Sequence, residues 1–260
     1  MSNTRDSLEW VSHDEAREIL TLLEGVEKLI LVGGQAVSFW AEFYAEDDNH
    51  LQKNGPYASR DVDFLAGRAE VSDAAARLGV EAFVPTIDDH SPNTGKLTFT
   101  SQAGKAITID FMGELYGLSR RDVVNTSIKV EWSGVRFLVM HPLLCLESRL
   151  ANSFGSLHRQ SEHSLQQLDA SIHIVRQHIA SELQQGHQRI ALNLTEQVAQ
   201  LATEDPAKEA YITRRIDVLQ AVPSEAFESA AFKETRWPQI VAETARKREQ
   251  YSKVMAQRPL

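Results

Sequence analysis

The chain has 260 residues, 42% hydrophobic and 24% charged, with a formal net charge of −9 and a single cysteine. That is enough apolar material for one large domain or two modest ones; the acidic balance argues against broad, nonspecific coating of nucleic acid, and the lone Cys145 excludes an intrachain disulfide or a cysteine zinc centre. Apolar runs such as residues 29–32 and 137–140 are too short to span a bilayer, and the polar start MSNTRDSLEW lacks a signal core, so a cytoplasmic protein with no membrane partner is expected.

Residues 1–12 read as loosely ordered. Ser12 can cap a helix over 13–24, where Ile19, Leu20, Leu22 and Leu23 give a broad apolar face that Gly25 ends. Residues 29–32 form a short buried strand. Gly33 and Gly34 then turn the chain into a helix of about ten residues with Val37, Trp40, Ala41 and Tyr44 on one face. The stretch 45–58, AEDDNHLQKNGPYA, shows no periodicity and reads as a loop. A strand over 60–66 places Val62 and Phe64 on one face and Asp61, Asp63 and Leu65 on the other. A helix over 71–79 ends at Gly79, and 80–92 has no clear pattern. Strands over 96–101 and 106–112 form a hairpin around Gly104, with Ile107, Ile109 and Phe111 opposite in phase to Thr108, Asp110 and Met112. Two more strands fall at 127–132 and 135–140.

Beyond His141 the pattern is helical. Segments at 143–152, 161–183, 190–201, 206–221 and 238–254 read as helices; in the second, Leu165, Leu168, Ile172, Val175, Ile179 and Leu183 step by three or four, and Ile190, Leu194, Val198 and Leu201 repeat that pattern. The fold class is therefore α/β (α+β): a mixed sheet with flanking helices over 1–140, followed by a helical domain over 141–260.

Two short motifs carry chemistry. Glycines between a strand and a helix, as at Gly33-Gly34, let backbone N–H groups and the positive helix end approach a phosphate; the same pair also makes an ordinary tight turn. Asp61 and Asp63, two apart in a strand, share a face, which suits a hard divalent cation or an edge acid pair matched by Arg60 or Arg68. Asp110 lies on the face of its strand away from the apolar residues. If the two strands are neighbours, three carboxylates converge, as needed to hold metal in a phosphoryl-type displacement.

Strand–Gly-Gly–helix, Asp-Val-Asp on a strand and an Asp on a later strand together resemble the polymerase-β-type nucleotidyltransferase superfamily. Within it, the layout resembles the bacterial minimal and AbiEii-like enzymes of toxin–antitoxin and abortive-infection systems. The resemblance covers residues 28–112 by motif and extends more loosely to about 185 through HPLLCLESRLANS. It implies a nucleotidyltransferase-like fold and transfer of a nucleoside monophosphate from an NTP to an acceptor hydroxyl on tRNA, a protein or a small molecule, with a cognate antitoxin as a partner. Gly33 and Gly34 would lie against the triphosphate. Asp61, Asp63 and Asp110 would hold Mg²⁺ (or Mn²⁺), Asp110 would help activate the acceptor, and the helical half would hold the base or acceptor. The gap from Gly34 to Asp61 is longer than the compact family pattern because of residues 45–58, which marks that segment for substrate entry. The rivals are a catalytically silent module of the same fold, with structural acids, and a metal phosphohydrolase.

Other groups read as structural. Arg60 should point away from the acid pair. Arg149, His158 and Arg159 suit surface salt bridges better than a phosphate site. His158/His163 and His173/His178, spaced by five, fit a shared helix face poorly, so no histidine metal site is expected. Over 233–260, seven Lys/Arg (233, 236, 246, 247, 248, 253 and 258) face three Glu (234, 243 and 249), a solvated amphipathic helix before it is an RNA contact.

Overall fold

The structure, a computed structural model, describes residues 10–257 except His90, Pro92, Ser156 and Arg159. Residues 1–9, Arg159 and Arg258, about which the sequence raises expectations, lie outside the described residues. The mixed α/β class is the one observed: a mixed sheet with flanking helices, then a helical C-terminal region. No helix among the described residues is long and apolar enough to cross a membrane.

In chain order the first half runs α1 (His13–Leu23), β1 (Ile30–Val32), α2 (Gly33–Phe43), α3 (Asn49–Asn54), β2 (Asp61–Leu65), α4 (Arg68–Leu78), β3 (Ala82–Phe83), β4 (Asn93–Thr100), β5 (Ala106–Met112), α5 (Arg120–Thr126), β6 (Ile128–Trp132) and β7 (Val135–Val139). The helices α6 (Pro142–Phe154), α7 (Glu162–Gln184), α8 (Gln188–Leu201), α9 (Asp205–Arg214) and α10 (Trp237–Ala256) follow. The seven strands among the described residues lie in the order β3-β4-β5-β2-β1-β7-β6. β1 with β7 and β2 with β5 are parallel; the other neighbours are antiparallel.

The central strands alternate as their sequences require. Val62, Phe64, Leu97, Phe99, Ile107, Ile109 and Phe111 are buried on one face. Gly95 belongs to that face, and a side chain there would meet Val71 of α4, its Cβ only 2.4 Å from Val71 Cγ1. The helix α4 therefore packs directly against β4. Contrary to the one-faced reading of α2, this helix is buried from Gly33 to Ala41, including Gln35 and Ser38.

The start of α1 is held by a capping box: Ser12 Oγ accepts from Glu15 N–H (3.2 Å), and Glu15 Oε2 accepts from Ser12 N–H (2.8 Å). Glu15 Oε2 also meets Lys105 Nζ at 3.0 Å. Burial pushes the Glu15 carboxyl up, but hydrogen bonds from Ser12 and Lys105 and the lysine charge outweigh it, so its pKa falls below the ordinary value. A lowered folded-state pKa gives stability that is present above the unfolded-state pKa and lost as pH falls through the folded one. Glu15→Gln is accordingly expected to cost about 1 kcal/mol at pH 7. The difference from wild type should vanish in urea melts run below the usual glutamate range.

Two expected elements change. The segment 45–58 is not wholly loop. Asp48 Oδ1 accepts from the N–H groups of His50 (2.8 Å) and Leu51 (3.1 Å), capping the short helix α3. Six residues are too few to show a helical period, which is why the pattern is invisible in sequence. The expected helix over 206–221 is also two pieces. Arg215 takes a left-handed φ of 60°, and Arg215 N–H and Ile216 N–H bond back to Tyr211 and Ala210, a helix stop usually made by glycine. A 3₁₀ turn, Val218–Ala221, follows, with Asp217 Oδ1 accepting from Leu219 N–H at 3.0 Å.

The chain clusters into two compact units. One comprises the residues up to Trp40 together with Asn54–Cys145; the other comprises Ala41–Lys53 and the residues from Leu146 onward. In the first, Trp40 Nε1 donates to Met140 O at 2.8 Å, and Phe39 meets Trp132 and Phe137 edge-on. In the second, residues 41–53 dock on α7 through Tyr44 Oη with His178 Nδ1 (3.0 Å) and Asp48 Oδ2 with His173 Nδ1 (3.1 Å) and Gln177 Nε2 (3.0 Å).

Four basic residues of the C-terminal segment have acidic partners within the chain. Arg248 is buried, donates to both Asp217 oxygens (2.6 and 3.2 Å) and lies 3.9 Å over the Tyr211 ring. Arg236 pairs with Glu196, Lys247 with Glu243 and Lys253 with Glu249.

Candidate active site

The acids sit where strand alternation requires. In the parallel β2–β5 pairing Asp63 is the register partner of Asp110, and Asp61 that of Thr108. Side chains two apart on β2 share a face, so Asp61 and Asp63 project on the side of Asp110, opposite the buried Val62, Phe64, Ile109 and Phe111. One oxygen from each of Asp61, Asp63 and Asp110 lies within 4.8 Å of the others. All three belong to the sheet-containing unit.

β1 and α2 bring Gly33 to the same place. β1 pairs antiparallel with β2, with Val32 opposite Asp63, and the chain then enters α2 at Gly33. Gly33 has φ +64°, and a Cβ built there would stand 2.1 Å from Asp63 Oδ2 and 2.9 Å from Asp63 Cβ. Glycine is thus demanded twice, by the left-handed backbone and by the acid pressed against it. The contact sets the Asp63 carboxylate at the first residue of α2, where the positive end of a helix favours an anion. Gly34, the second residue of α2, is also buried.

Three further residues complete the site. Lys96 is the antiparallel register partner of Asp110, and its Nζ lies 3.7 Å from Asp110 Oδ1. A β-bulge between Asn93 and Gly95 lets Asn93 Nδ2 donate to the same oxygen at 3.1 Å. Ser59 Oγ donates to Asp61 Oδ1 at 3.0 Å. Sequence reading passes over all three. Lys96 carried a usable signal, because it is out of phase with Leu97 and Phe99 and therefore belongs to the polar face.

Asp110 has only 16% of its side chain exposed. Burial holds its carboxyl above the usual carboxylate range, Lys96 opposes this, and the neighbouring charge of Asp61 pushes it up again. An all-oxygen, partly buried set of donors fits a hard divalent cation such as Mg²⁺ or Mn²⁺.

The remaining candidates fall elsewhere. Arg60 points away from the acids, with its guanidinium 4.9 Å over the Trp10 ring. Arg68 donates to Pro85 O. Arg149 donates to Gln167 Oε1 at 2.9 Å, and His158 Nδ1 lies 3.9 Å from Glu209. No family model, no curated protein and no solved structure matches this chain.

Proposed function

We propose that the chain is a metal-dependent nucleotidyltransferase of the polymerase-β type, moving a nucleoside monophosphate from an NTP to an acceptor hydroxyl. The observation that carries this reading is the register of β2 and β5, which puts Asp63 beside Asp110 and Asp61 on the same face, with Gly33 of the strand–helix turn against Asp63. Asp61, Asp63 and Asp110 would hold Mg²⁺ or Mn²⁺. A divalent ion bound there supplies charge neutralisation for the triphosphate and for the leaving pyrophosphate.

The chain's own residues account for the rest. Gly33 and Gly34 open α2, and the positive end of that helix, beside the acids, would favour a triphosphate held there with the metal. Asp110, whose carboxyl is pushed up by burial, would take the proton of the acceptor hydroxyl. The hydroxyl oxygen bonds to the α-phosphorus as the bond to the β-phosphate oxygen breaks, and pyrophosphate departs. Positioning and electrostatics carry such a transfer.

The test is incubation with each α-labelled NTP, Mg²⁺ and cell extract. Label is expected on RNA, a protein or a small molecule, and the class that takes it names the acceptor. Antitoxin partnership, as in toxin-type enzymes, belongs to the same proposal and is read by co-purification with the product of a neighbouring gene.

A second reading, the silent module, is favoured by the internal partners of the acids: Asn93 and Lys96 already engage Asp110, and Ser59 engages Asp61. It predicts no Mg²⁺- or Mn²⁺-dependent nucleotide binding. A phosphohydrolase would release phosphate without labelling an acceptor.

A further inference from the structure

We propose that His50, Asp169 and His173 form a second metal site, for a zinc-like transition-metal ion, that clamps α3 onto α7 within the helical unit. Its residues are far apart in the chain yet close in space. Asp169 and His173 are four apart on α7 and so share one helix face, the spacing that lets a helix give two ligands to one ion. α3 supplies His50, whose Nε2 lies 2.5 Å from Asp169 Oδ2. The His50 and His173 rings stack with centroids 3.9 Å apart and planes 3° from parallel. One ligand atom from each of the three residues lies within 4.8 Å of the others.

An ion with ligand distances of about 2.0–2.2 Å holds tetrahedral neighbours about 3.4 Å apart. To meet one ion the side chains rotate: the 2.5 Å His50–Asp169 contact opens, and the stacked rings turn so that each presents a nitrogen in its own plane; His50, Asp169 and His173 are 36%, 46% and 25% exposed, which leaves room for this and gives an ion access. Two imidazoles and one carboxylate suit zinc and its neighbours, whereas the three carboxylates on the sheet suit magnesium.

The surroundings are those of a built site. A metal-bound histidine usually donates its other ring N–H to a carboxylate, which fixes the ring and its tautomer. Asp48 Oδ2 sits 3.1 Å from His173 Nδ1, which leaves Nε2 of that ring for an ion. Asp48 is itself fixed: Gln177 Nε2 donates to Oδ2, and the N–H groups of His50 and Leu51 donate to Oδ1. The same carboxylate thus caps α3 and orients a ligand on α7.

The test uses the full chain, loaded with ZnCl₂, dialysed and measured for metal by mass spectrometry, and in parallel titrated with CoCl₂ while visible absorption is recorded. The expected result is one zinc per chain, a cobalt spectrum of histidine and carboxylate ligation, and at least about tenfold weaker binding in His50→Ala, His173→Ala and Asp169→Asn. Asp61→Asn should leave zinc binding unchanged, which separates this site from the sheet acids. Failure of the wild-type chain to retain zinc, or equal retention by correctly folded His50→Ala and His173→Ala, overturns the proposal.

Discussion

Asp63→Asn is expected to lower transfer of label from an α-labelled NTP by at least about 10³-fold while the circular dichroism spectrum stays unchanged. Asp63 stands at the meeting point of three elements: it is the register partner of Asp110 on β5, it shares a face with Asp61, and it lies against the first residue of α2. The substitution keeps the shape and removes one negative charge from a crowded group. Metal-free stability feels two opposing changes: like charges within 4.8 Å repel less, and the end of α2 loses its anion. Loss of transfer with retained stability separates a role in the site from a role in the fold. Full activity in this variant removes the proposed mechanism, whatever the acceptor.

Gly33→Ala carries the largest expected cost to stability. The added methyl meets Asp63 Oδ2 at 2.1 Å and Asp63 Cβ at 2.9 Å, and the φ of +64° is strained for any side chain. The left-handed backbone costs about 1–2 kcal/mol and overpacking a buried turn about 1–3 kcal/mol, so urea melts should show a loss of about 2–5 kcal/mol. Gly104→Ala is the internal control. Its φ is +79°, but no atom lies within 4 Å of the added methyl, so only the backbone cost of about 1–2 kcal/mol applies. In an Asp63→Gly background the cost of Gly33→Ala should fall toward that of the control. Equal costs at Gly33 and Gly104 in the wild-type background would show that Asp63 does not press on the turn.

Much of the site was legible in sequence because strand alternation is a strict rule. Once 60–66 and 106–112 read as strands, their apolar residues oriented the sheet, and Asp61, Asp63 and Asp110 could only project from the other face. What sequence left open was whether the strands are neighbours; the parallel β2–β5 pairing answers it. Lys96 was within reach by the same logic. In a hairpin closed between Ser101 and Lys105, Thr100 pairs with Ala106 and counting outward pairs Lys96 with Asp110. Asn93 was not, since a bulge shifts the register before it.

The illegible parts depend on long-range contacts. The helix α3 has six residues, too short for periodicity, and its order comes from Asp48 and from docking on α7. The His50–Asp169 pair spans 119 positions, so comparing histidines close in the chain cannot find it. The stop at Arg215 has no glycine to announce it; a non-glycine residue occupies the left-handed cap because Arg215 and Ile216 satisfy the carbonyls of Tyr211 and Ala210. In each case local propensity was weak and a distant or unusual partner decided the outcome.

The three sheet carboxylates are proposed to make a divalent-cation site for an NTP. The most direct measurement is calorimetric titration of wild-type protein with NTP in the presence and absence of Mg²⁺, repeated on Asp110→Asn. Nucleotide binding is expected only when Mg²⁺ is present, weakened by at least about tenfold in the variant. Binding of equal strength with and without the metal, or none under either condition, would contradict it.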